Sequence, residues 1–195
     1  MLQDPVKAVL VPLAPEEARA LATVPITLEG AVGFGEGAWV GLDRLAACSG
    51  EQRLPLGDSL GQLPGMPARP EASYEEAYAA MIGGDHLMAG EAFAVVALTG
   101  GPLAPSLYGL ALTLERLEAY EQAEELAGFV SDLPGYDDPR AAALAGYAAF
   151  QRRQAKAARV HLAKAARIAR TKPEFRGVQR FAQRVLLMQQ FALGD

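Results

Sequence analysis

The chain has one cysteine, Cys48, among 195 residues. That excludes an internal disulfide and any zinc site built on cysteines. It has two histidines, His86 and His161, far apart in sequence, which leaves little for a histidine-based metal site or proton relay. Long apolar runs are missing as well. A stretch such as Phe93–Leu98 falls far short of the ~20 residues that a membrane-spanning helix needs. The start, Met1-Leu2-Gln3-Asp4-Pro5, has no basic flank leading into an apolar core, so no secretory signal is expected. The expectation is a soluble, cytoplasmic chain with no membrane partner. Hydrophobic residues at 51% and charged residues at 21% exclude disorder over the whole length. The length suits one large domain or two small ones.

Acids are what the C-terminal part lacks. From Arg140 onward the chain holds 12 of its 18 Lys and Arg but only Glu174 and Asp195 of its 23 acids. Residues 140–195 therefore carry a net +10 and residues 1–139 a net −15. Such asymmetry speaks about partners more than about fold. It fits an anionic partner, either nucleic acid or an acidic protein. It equally fits self-complementarity, with the acidic part docking its own tail or that of a second chain.

Punctuation divides the chain. Leu63-Pro64-Gly65-Met66-Pro67-Ala68-Arg69-Pro70 is dense in proline, which keeps preceding residues extended and stops helices. A linker is expected over 65–72. Before it, Val6–Leu13, Ile26–Glu29, Ala38–Leu42 and Leu54–Leu60 read as strands. A short helix is expected from Pro15 to about Thr23, with Glu16 and Glu17 in the first turn where the dipole favours them. Residues 1–64 are thus expected to form a small α+β subdomain. After the linker, Ser73–Leu193 is nearly all helix-forming, broken at Gly83-Gly84, Gly100-Gly101-Pro102, Leu133-Pro134-Gly135 and Lys172-Pro173. The expectation there is an all-α array of hairpins with a C-terminal closing helix.

Breaks at such spacing call for a repeat search. Aligning Gly84–Ala89 with Glu118–Ala123 and Arg153–Ala158 sets Ala89, Ala123 and Ala158 in register at spacings of 34 and 35. Phe93, Ala127 and Leu162 follow four residues later. Ala77, Ala111 and Gly146 precede by twelve. Over about residues 73–171 this resembles the tetratricopeptide repeat. The resemblance implies helical hairpins that approach closely at small residues, here Ala77, Ala89, Ala111, Ala123, Gly146 and Ala158. It also implies a protein–protein adaptor that takes a peptide in a groove. The pattern departs from the family in lacking its early aromatic in the first copy and in displacing its closing proline to Pro102 and Pro134. A plain helical bundle is the alternative.

The basic residues are phased. With Lys156–Arg170 as a helix, Lys156, Arg159, Lys164, Arg167 and Arg170 fall within an arc of about 140° at ~100° per residue. In the last helix Arg176, Arg180 and Arg184 line one face, while Phe175, Val178, Phe181, Val185 and Met188 form the apolar side. With Arg152, Arg153 and Lys172 these residues make the candidate nucleic-acid-binding set. Arginine's planar fork suits phosphate. No aromatic platform for stacked bases accompanies them.

Motifs of chemistry fail. Gly57-Asp58-Ser59-Leu60 matches the short signature of the GDSL hydrolases, but neither histidine supplies the Asp-x-x-His partner that family uses, and a hydroxyl without a base is a weak nucleophile. Gly33-Phe34-Gly35-Glu36-Gly37 lacks the spacing of a dinucleotide loop and the Gly-Lys-Ser/Thr of a P-loop. Asp137-Asp138-Pro139 reads as a helix cap, Cys48 as a small hydrophobe and Trp39 as a core residue. No catalytic residue, metal site or cofactor is expected. The expected function is non-catalytic binding of nucleic acid through phosphates, with a peptide adaptor or homo-oligomer as alternatives.

Overall fold

The computed structural model describes residues 9–22, 72–98, 102–133 and 135–192. The helices are α1 (Pro15–Ala22), α2 (Tyr74–Gly83), α3 (His86–Leu98), α4 (Leu103–Arg116), α5 (Tyr120–Asp132), α6 (Pro139–Gln151), α7 (Ala155–Arg170) and α8 (Arg176–Ala192), with one 3-10 turn at Pro173–Phe175 before α8. Their starts follow local chemistry. Ser73 caps α2 in a reciprocal pair with Glu76, which satisfies two backbone donors the helix leaves over. Asp138 caps α6, with Pro139 in its first turn, as the sequence led one to expect.

Helices α2/α3, α4/α5 and α6/α7 are hairpins, and each helix also packs on the next one along the chain. Helices α2, α4, α6 and α8 pack on one another in turn as a second set of contacts. The result is a stacked array closed by α8. The three hairpin turns share one backbone pattern. Gly84, Glu118 and Arg153 are left-handed, at φ 84°, 62° and 60°. Their N–H groups donate to Met81, Glu115 and Phe150. The next residues, Asp85, Ala119 and Gln154, donate to Ala80, Leu114 and Ala149. That is the same Schellman closure three times, and it recurs at the spacings of the sequence repeat.

Small residues make the stacking close. Ala77, Ala89, Ala111, Ala123 and Ala158 are fully buried. A Cβ on Gly146 would stand 2.6 Å from the Cγ of Leu162, and one on Gly109 the same distance from the ring of Phe93. Neither position has room for a side chain. Helices α4 and α6 are buried along most of their length, with Ser106, Thr113, Glu115 and Arg140 among the covered residues. All of this belongs to one buried cluster, which also contains Leu10, Leu13 and Ala18.

Those last three residues correct the expected α+β subdomain. Among the described residues everything regular is helical and no strand occurs. Residues 9–13, the described part of the expected strand Val6–Leu13, are irregular. Their carbonyls find side chains instead of a ladder: Tyr108 donates to Val11, Tyr74 to Leu13 and Arg116 to Leu10. A run rich in Val and Leu signals burial, and here helices bury it. The helix expected from Pro15 is present as α1. The remaining expected strands, the linker over 65–71, Trp39, Cys48 and the two glycine-bearing motifs lie outside the described residues.

Candidate nucleic-acid interface

Helix α7 turns Ala158, Leu162, Ala165 and Ala169 inward. Lys156, Arg159, Arg167 and Arg170 are exposed on the other side, with Val160 and Ala163 between them. Helix α8 buries Val178, Phe181, Ala182 and Val185 and exposes Arg176, Arg180 and Arg184. The two helices pack directly and run antiparallel, because Gln189 near the end of α8 donates to the carbonyl of Ala155 at the start of α7. At ~1.5 Å rise per residue this sets Arg184 about level with Val160, and Arg176 about level with Ile168. Arg153, in the turn before α7, is exposed too.

These eight cations have no ion pair with any described acid. The other three members of the expected set do. Arg152 holds Glu124 at 2.7 Å and also Glu121. Lys164 pairs with Asp132 and donates to Ser131. Lys172 pairs with Asp137 at 2.7 Å. The reason is the stacking: α5 and the segment after it lie beside α7, so acids from about thirty residues earlier meet these cations. Sequence phasing put Lys164 on the edge of the stripe, and that edge faces a neighbour. The pairs whose acid is exposed, Arg152–Glu121, Lys164–Asp132 and Lys172–Asp137, contribute only about 0.2–1 kcal/mol each.

Three further side chains shape the surroundings. Phe181 is buried beside Tyr147, ring centroids 5.9 Å apart. Phe175 is covered by Arg140 at 5.4 Å and Lys172 at 6.0 Å. Among the described residues no exposed aromatic ring stands next to the arginines. Met188, expected on the buried side of α8, is exposed, as is Leu187. His161 sits in the α5–α7 seam beside Gly128. Burial lowers its pKa, and Lys164 acts the same way, against the opposing pull of Glu124 and Asp132.

No protein-family model, curated protein or solved structure matches the chain. The surface thus has to be read from its own chemistry. Among the described residues no group of three or more His, Cys, Asp and Glu could hold a metal ion, and no helix is long and apolar enough to cross a membrane. What α7 and α8 offer is a single-signed strip of guanidinium and ammonium groups on two antiparallel neighbours. Arg140 was invisible as a distinct case in sequence. It belongs to the +10 segment, yet it is buried, held by both oxygens of Asp138 and reaching Glu17.

Proposed function

We propose that this chain is a non-catalytic binding protein whose α7–α8 face engages nucleic acid through its phosphates, carried on hairpins of the tetratricopeptide type. The observation that carries this reading is the set of eight exposed cations on adjacent antiparallel helices and their turn, with no described carboxylate against them. Six are arginines on the two helices, whose forked donors favour phosphate. Contacts of this sort position a backbone without reading bases. The three matching turns and the buried small residues support the repeat reading.

The test is a titration of labelled single- and double-stranded oligonucleotides with the full chain, across a salt series. Binding is expected at low salt, with log K falling against log salt by about 0.7 to 0.9 per phosphate contacted. The R176E/R180E/R184E variant is expected to lose binding while keeping its fold by circular dichroism. Failure to bind either oligonucleotide at low salt overturns the proposal. So does a complex with an acidic polypeptide where no oligonucleotide binds.

A further inference from the structure

The N-terminal segment lies on the face of α2, α4 and α6 in the manner of a bound peptide. Leu10 and Leu13 are fully buried anchors, and Pro12 between them is buried too. Three successive donors from the array read its carbonyls: the guanidinium of Arg116 at Leu10, the hydroxyl of Tyr108 at Val11 (3.1 Å) and that of Tyr74 at Leu13 (3.0 Å). Downstream, Glu17 accepts from the Ala14 N–H at 2.9 Å and reaches Arg140 at 3.3 Å. The receiving groups are organised from the array side. Asp138 orients Arg140 through both of its oxygens, and Tyr74 packs edge-on against Phe93. The Tyr136 hydroxyl is buried with no described partner, in the same electrostatic neighbourhood as Tyr108, Arg140 and Asp138.

The recognition is by main chain and proline, without a strand ladder. Pro12 and Pro15 remove two backbone donors from the segment, so its carbonyls are the groups left to read. Aromatic hydroxyls on a preformed surface are suited to that task, as in grooves that take extended proline-containing peptides. Few of the contacts depend on the segment being part of the same chain. Burial of the two leucines and the charge-assisted contacts of Arg116 and Arg140 would be equally available to a segment arriving from outside.

We propose that the α2–α4–α6 face is a peptide-binding site which the chain's own residues 9–17 fill in cis, and which accepts in trans an extended Leu-x-Pro-Leu-type segment followed by a carboxylate. The covalent link makes binding of the resident segment intramolecular, which favours it over an external peptide of the same sequence. An external peptide therefore competes poorly until the resident anchors are weakened.

The test uses the full chain and a fluorescent synthetic peptide of residues 9–22 as probe, read by anisotropy. Weak binding to the wild-type chain is expected, and binding at least roughly tenfold tighter to L10D/L13D, from which the resident segment is released. A peptide carrying the same two aspartates is expected not to bind. Equal affinity of the probe for the folded variant and the wild type overturns the proposal. Binding that vanishes with R176E/R180E/R184E also overturns it, since the probe would then sit on the basic face. Should L10D/L13D fail to fold, hydrogen exchange on the wild-type chain decides. The α1 amides are expected to exchange by local opening at least roughly tenfold faster than those of α4 and α6. Exchange of α1 only through global unfolding makes the segment a fixed part of the core and overturns the proposal.

Discussion

At the scale of single residues, position in the array sets what a group can do. His161 shows it. Its neighbours on α5 and α7 include Glu124, Asp132 and Lys164, yet desolvation in the seam wins and the neutral imidazole is favoured in the fold. A histidine with a lowered folded pKa binds fewer protons folded than unfolded. Its contribution is therefore present above its ordinary value of 6.5 and declines as pH falls below it. Melting temperature is expected to drop between pH 7.5 and 5.5, and H161Q is expected to flatten that part of the profile. Arg153 shows the other side. It holds φ at 60° where Gly84 serves the first turn, a conformation that costs a residue with a Cβ about 1 kcal/mol or more. R153G is expected to raise Tm by roughly 2–4 °C while weakening oligonucleotide binding through the loss of one cation. E118G, at the matching turn, is expected to raise Tm with no such weakening. Tm and affinity measured on the same preparations separate the two.

Between helices, the same substitution takes opposite signs according to what lies opposite. A Cβ on Gly146 of α6 would stand only 2.6 Å from the Cγ of Leu162 of α7 and 3.0 Å from its backbone nitrogen. Backbone cannot rotate away as a side chain can. G146A is expected to push α6 and α7 apart and to destabilise by about 1–3 kcal/mol of overpacking, less the helix preference of alanine. Gly177 of α8 has nothing within 4 Å, so G177A is expected to stabilise by about 0.5–1 kcal/mol. Chemical denaturation of the two variants gives the comparison. This contrast was partly legible beforehand. The register of Gly146 with Ala77 and Ala111 marked it as a close approach, because a helix pair that recurs every 34 or 35 residues must reuse its contact points. Gly109 carried no such mark, since its partner Phe93 belongs to the preceding hairpin.

Over the whole molecule, what sequence revealed and what it hid divide along the range of the interactions. The hairpins, their breaks and the outward phase of Arg176, Arg180 and Arg184 follow from local periodicity, and the described helices agree with them. The pairing of Arg152, Lys164 and Lys172 with acids depends on how one hairpin stacks upon another. No spacing in the linear chain announces it. The expected α+β subdomain failed for a related reason. Alternating Val and Leu with prolines reports that a segment is to be covered, without saying by what, and the helices α2 and α4 supply the cover for residues 9–14. The acidic residues 1–139 and the basic residues 140–195 meet through Glu17 and Arg140 under the docked segment, and again where Arg152, Lys164 and Lys172 pair with acids of α5 and the segment after it. The eight exposed cations of α7, α8 and the turn before α7 are left out of that meeting.

The triplicate turn has a consequence for how such a chain changes length. A backbone that leaves α2 through Gly84 and one that leaves α4 through Glu118 arrive at Asp85 and Ala119 with the same hydrogen bonds made. Splicing Gly84 directly to Ala119 would ask for no new bend. Lineages of such chains can therefore gain or shed a whole storey by unequal crossing-over, and each storey brings its own stretch of outer wall to be decorated with charge.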